Sequence, residues 1–218
     1  MAGREERGGT DGKTQRGRRP VDRRVARSRR AIRAAFERLV MERPLDEITV
    51  SAIAREADVD RKTFYQHFGS VDGLLDEMAL EVVARVLDDA EAAYRERDVD
   101  CARDARALAA FFSGIARALS ENLALNRRLL ESVPPERLLG HLADPLAHGI
   151  RERGLVSPEM DAQTFDYCLA FELGGLVAAL RAWALAGEGA PPVEDVTRMA
   201  QELTSVGIRG FRQPDPTV

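Results

Sequence analysis

Between Thr49 and Phe68 two apolar blocks, each too short to be a stable helix alone, stand almost back to back with no strand alternation around them. This pairing constrains the fold more than any other feature. Val50, Ile53, Ala54 and Ala57 share one face of a short helix that Thr49 is placed to cap. Phe64 and Phe68 share one face of a second, expected over Arg61–Phe68 with Asp60 as its cap. Helices below about 12 residues are marginal in water. The second one must therefore be ordered by burying its two phenylalanines against neighbouring helices.

The connection between them is Asp58-Val59. A turn this tight usually needs one residue at positive φ, and Asp is among the few residues besides Gly that tolerate it. Val59 is then free to point back toward Phe36, Ile53 and Phe64. The arrangement is a helix-turn-helix, whose second helix enters the DNA major groove. Its outward face carries Arg61, Lys62, Gln66 and His67 beside Thr63 and Tyr65. Arg61 and Lys62 occupy the first turn, which points at base edges; Arg can bridge guanine O6 and N7, and Gln66 can pair with adenine. Thr49 and Ser51 sit at the positive end of the first short helix, where a phosphate is stabilised.

Charge is distributed to match. Residues 1–30 hold 11 Lys or Arg and 4 Asp or Glu, a net of +7, whereas residues 31–218 hold 21 and 32, a net of −11. A basic end on an acidic body confines attraction for a polyanion to one place. Residues 1–21 lack apolar periodicity and are expected to be a disordered basic tail. Residues 22–75 are expected to form the helix-turn-helix domain, beginning with a helix over Asp22–Glu42 that buries Ile32, Ala35, Phe36 and Leu39 and ends at Pro44.

Residues 76–218 read as a second, wholly helical domain. Its helices are expected to run from Ser70 to about Arg97, Asp104 to Leu119, Leu123 to Glu131, Pro135 to Arg153, Ser157 to Ala186 and Val193 to Arg209. The fold class is thus all-α, with about nine helices. Ser157-Pro158-Glu159 has the form of a helix start: a cap, Pro in the first turn and an acid on the positive end of the dipole. Leu169, Leu173, Leu176, Leu180 and Trp183 make a bulky stripe on the following helix, and Ala170, Gly174, Ala178 and Ala182 a stripe of small residues. A helix apolar on most of its circumference must be enclosed, and a second copy of the chain is the expected enclosure, through this helix and the last. Glu172 and Arg181 near the middle argue against a membrane span. Two cysteines, Cys101 and Cys168, make no disulfide framework, and no apolar run follows the N-terminal charges, so a cytoplasmic protein without a signal peptide is expected.

The segment Ile48-Thr-Val-Ser-Ala-Ile-Ala-Arg-Glu-Ala, then Val59-Asp-Arg-Lys-Thr-Phe-Tyr-Gln-His-Phe, then Ser70 and Leu74-Leu75, resembles the N-terminal domain of TetR-type (tetracycline-repressor-like) transcriptional regulators. The resemblance covers about residues 25–78. It implies a homodimer on duplex DNA, a divergent ligand-binding domain and repression relieved by a small molecule. It also implies phosphate contacts from Thr63, Tyr65 and His67, where a donor fixes register without reading sequence. Two positions depart from the pattern: Asp58 stands where the family commonly has Gly, and Val71 where a Lys often contacts phosphate.

For an effector, Phe112, Phe165, Phe171 and Trp183 are candidate pocket liners, with Glu172 as an anchor for a cationic or hydroxylated group. Glu172 could instead pair with an Arg, Arg181 being one choice. His141 and His148 lack acid or Cys partners at metal-ligand spacing, and no phosphate loop or nucleophile motif occurs, so no metal, cofactor or catalytic site is expected. The alternatives to a ligand-released repressor are an activator and a DNA-bound scaffold that recruits a protein partner.

Overall fold

The computed structural model describes residues 18–95, 100–156 and 160–212. Within them the chain forms α1 (Arg18–Glu42), a 3-10 turn at Leu45–Glu47, α2 (Val50–Glu56), α3 (Arg61–Phe68), α4 (Val71–Arg95), α5 (Asp100–Glu121), α6 (Leu123–Ser132), α7 (Pro135–Glu152), α8 (Ala162–Leu185), a 3-10 turn at Gly187–Gly189 and α9 (Val193–Arg212), with no strand among the described residues. The all-α expectation holds. The helix ends follow the sequence signals closely where a cap is present: Thr49 accepts from the Ala52 amide and Asp60 from the Thr63 amide.

Two starts differ. α1 begins at Arg18, inside the stretch expected to be disordered, with Pro20 in its first turn, where a missing N–H costs nothing. The rest of the expected tail, residues 1–17, lies outside the described residues, as does Ser157-Pro158-Glu159. α8 starts later than the sequence suggested. Asp161 caps it, taking the Thr164 amide at 2.9 Å and the Thr164 hydroxyl at 2.5 Å.

Three apolar cores hold the helices. The first gathers Ile32, Phe36, Leu39 and Val40 of α1, Ile53 of α2, Phe64 and Phe68 of α3, and Leu74 and Leu75 of α4. The α1 members recur at three- and four-residue steps, the signature of a buried helical stripe. This core also contains Leu125 of α6 and Val133 just beyond it, so α6 closes the helix-turn-helix from below. The second core joins Leu130 of α6 to Leu180, Trp183 and Ala184 of α8 and to Val193 and Val196 of α9. The third packs Val83 and Leu87 of α4 on Leu146 of α7 and Leu173 and Val177 of α8.

α6 is bound at three edges by hydrogen bonds to helix-end carbonyls. Asn126 Nδ2 donates to the carbonyls of Ala118 and Leu119 at 3.0 Å each, capping the end of α5. Arg128 Nε donates to the Val40 carbonyl of α1 at 3.3 Å. Arg181 of α8 donates to the carbonyls of Leu130 and Val133 at 2.8 and 2.9 Å, placing a cation on the negative end of α6.

α8 has the length and composition of a membrane span. Both of its mid-helix charges have polar partners inside the fold: Arg181 the carbonyls just named, Glu172 the Thr204 hydroxyl of α9 at 2.6 Å. The Glu172–Arg181 pair considered from the sequence therefore does not form. Nine residues apart on one helix, the two side chains point to different neighbours.

Candidate nucleic-acid interface and regulatory face

α3 is short, and everything about it follows from which side of it is buried. Phe64 and Phe68 are buried, with their rings 5.8 Å apart. The Arg29 guanidinium of α1 lies 5.3 Å from the centre of the Phe68 ring. The opposite face is therefore forced outward: Arg61, Lys62 and Gln66 are exposed, Thr63 and His67 half-buried, and Tyr65 54% exposed while its ring edge meets Phe64. The eight residues named from the sequence are thus all exposed or half-buried, with Thr49 and Ser51 exposed at the start of α2.

Their hydrogen bonding separates them. Thr49 Oγ1 accepts the Ala52 amide, so its own proton remains available to an external acceptor. Thr63 Oγ1 already donates to Asp60 at 3.1 Å, so a phosphate there would have to displace that carboxylate. The Thr63 amide, first, and then its hydroxyl hold the Asp60 carboxyl below the usual carboxylate range, which keeps the cap ionised in weak acid.

The turns on either side of α3 fix its angle. Asp58 takes φ of 52°, the left-handed conformation expected of it, and Val59 packs against the first core. At the other end Gly69 has φ of 71°, Ser70 Oγ accepts the Gly73 amide at 2.9 Å, and a Cβ on Gly73 would lie 2.0 Å from the Phe68 carbonyl oxygen. Only glycine allows α4 to start this close to the end of α3.

One group of exposed cations lies on the expected first helix but was not named among the DNA contacts. Arg23, Arg27 and Arg30 recur at i, i+4 and i+7 on α1, and all three are exposed, as is Arg24. Their spacing is the signal that this stretch is a helical basic face.

The C-terminal residues proposed for an effector are not brought together. Phe112 is buried beside Phe111. Phe165 is buried under the Arg151 guanidinium near the start of α8, and Trp183 is buried near its end, about 27 Å further along the axis. Phe171 is 79% exposed, and Glu172 is taken by Thr204. Helical spacing identified an apolar circumference but could not say which part of it a neighbour covers. Of these five residues, Trp183 lines a cleft, of about 410 Å³, with α5, α6 and the start of α9. His141 faces Asp76 of α4 at 2.5 Å, and no group of three metal-ligating side chains occurs among the described residues.

Comparison with known proteins fits this geometry. Residues 32–78 match the family described as bacterial regulatory proteins, tetR family. A Bacillus subtilis protein described as the uncharacterized HTH-type transcriptional regulator YxbF is 31% identical over 97 residues, 44% of this chain; the match spans 26% of that relative's length. A TetR-family regulator of Streptomyces coelicolor superposes with a TM-score of 0.56 at 24% identity, covering 87% of this chain and 99% of the other. FadR of Thermus thermophilus, a TetR-family transcriptional repressor solved with lauroyl-CoA, gives 0.56 at 18% identity, covering 87% and 100%. A Streptococcus agalactiae TetR regulator gives 0.53 at 24%, covering 84% and 97%. Residues 32–78 thus match the tetR family of bacterial regulatory proteins, and the chain shares the fold of solved TetR-type regulators.

Proposed function

We propose that this chain is a cytoplasmic homodimeric repressor that binds a palindromic operator and leaves it when a small molecule binds the C-terminal helices. The observation that carries the DNA half is the outward face of α3. Its cations and amide stand opposite two buried phenylalanines that leave it no other orientation. In this reading Arg61, Lys62 and Gln66 meet base edges, and Thr49, Ser51, Tyr65 and His67 meet phosphates. Thr63 contributes mainly by holding the cap.

The dimer rests on α8 and α9. Tyr167, Phe171 and Leu185 of α8 and Met199 and Leu203 of α9 are exposed large apolar side chains. Between the α8 members run Ala170, Ala178 and Ala182, also exposed, and Gly174 and Gly175, around which a Cβ would meet nothing. Exposed apolar faces of this extent mark association sites. A stripe of small residues lets a second helix approach closely. A second copy, related by a two-fold axis, would pair α8 and α9 with their equivalents and set two α3 helices for successive major grooves, about 34 Å apart.

The test is selection of random duplex DNA on the purified protein. Inverted-repeat sites should be enriched, with mass consistent with two chains per site. Enrichment of no motif, or of isolated half-sites bound by single chains, would overturn the reading.

A further inference from the structure

The cleft beside Trp183 contains a cation without a counter-charge. It is walled by Leu123, Trp183, Ala190, Pro191 and Pro192, and its volume, about 410 Å³, falls in the range of small-ligand sites. The Trp183 ring is fixed by its indole N–H, which donates to the Pro191 carbonyl at 2.8 Å. Over that ring, 4.6 Å from its centre, lies the guanidinium of Arg127. Arg127 Nε is buried without a hydrogen-bond partner, and among the described residues no carboxylate pairs with this guanidinium. Its neighbour on α6 behaves differently: Arg128 pairs with Glu131 and reaches the Val40 carbonyl. Buried donors are almost always satisfied, and one that is not calls for an absent partner.

We propose that this cleft binds an aromatic monocarboxylate, its ring against the Trp183, Pro191 and Pro192 wall and its carboxylate on Arg127. The carboxylate is the acceptor that matches a guanidinium edge in charge and in geometry. Glu188 and Glu194 stand exposed at the rim, where Glu194 already accepts the Ser120 hydroxyl at 2.9 Å. They admit one negative charge beside Arg127 and repel a second, which disfavours phosphates and dicarboxylates. The site also touches the element that supports the DNA reader. Arg127 adjoins Arg128, and α6 supplies Leu125 to the first core. That regulatory consequence rests on the effector reading above; the binding itself does not.

Trp183 is the sole tryptophan of the chain, so its emission reports the cleft directly. The full chain is titrated with 3-phenylpropionate, 3-phenylpropylamine and 3-phenylpropanol, which share one skeleton and differ in charge. A saturable emission change is expected for the acid, with the amine and the alcohol at least about tenfold weaker. Arg127→Gln, checked for an unchanged melting temperature, should weaken the acid at least about tenfold and abolish the preference over the alcohol. Absence of a saturable change, equal binding of the three compounds, or an Arg127→Gln protein as responsive as the parent would each overturn the proposal. If Arg127→Gln unfolds, the charge series on the parent chain still decides. The titration uses no DNA, so a protein that binds the acid yet selects no operator would defeat the repressor reading and leave the cleft standing.

Discussion

α3 and α8 distribute their apolar surface in opposite ways. In α3 both large apolar rings not carrying a hydroxyl are buried and the polar groups face outward. In α8 Leu173, Leu180 and Trp183 are buried, but Tyr167, Phe171 and Leu185 remain exposed, while the two mid-helix charges, Glu172 and Arg181, turn inward to hydrogen-bond partners. The first helix is complete within one chain, and its function lies in what it leaves for a polar target. The second leaves large apolar side chains exposed, the face that the proposed dimer would cover. The reader's packing therefore does not depend on what the outer face of α8 meets.

The contrast can be broken most forcefully at Phe64. Phe64→Ala should destabilise the protein by about 3–5 kcal/mol and remove DNA binding with it, measured as a fall in melting temperature and a lost gel shift. An unchanged melting temperature would mean that α3 is not held as described. On α8 the opposite outcome is expected. Phe171→Glu should leave helical content intact and weaken dimerisation by roughly 2–3 kcal/mol, the worth of one buried aromatic, seen as a shift to monomer in sedimentation. A dimer unaffected by Phe171→Glu would place the interface elsewhere.

Finer changes sharpen the reader alone. Arg61→Ala should cost about 1–3 kcal/mol on the selected site and relax base preference at one or two positions, whereas Tyr65→Phe should weaken every site about equally. Equal losses on specific and scrambled duplexes for both would cancel the division of roles. The smallest effect is expected at the turn. Asp58→Gly should stabilise the protein by up to about 1 kcal/mol, because φ of 52° strains any residue with a Cβ. Destabilisation would show that the Asp58 side chain contributes more than its backbone strain costs.

The N-terminal half was readable because its signals are local. Thr49 and Asp60 announce caps, Asp58 announces a positive φ, and Phe64 and Phe68 announce the buried face, all within a few residues of the structure they cause. Arg18–Val21 was misread because a basic run without apolar periodicity looks alike as coil and as a solvated helix. In the C-terminal half the helices were legible but their neighbours were not. Glu172 finds Thr204, 32 residues away, and Arg181 finds carbonyls 48 and 51 residues away. Periodicity carries no information about such distant partners, and so the four expected pocket residues were scattered rather than gathered.

The way α6 is tied down bears on protein engineering. Leu125 and Val133 fill space between α1 and the following helices, and Arg128 holds the Val40 carbonyl. A chimaera that exchanges this operator reader for another by cutting the chain after α3 would leave those side chains facing an unmatched surface. Transplanting residues 18–75 together with the 123–133 segment, even though residues 76–122 separate them, is the swap that preserves the joint.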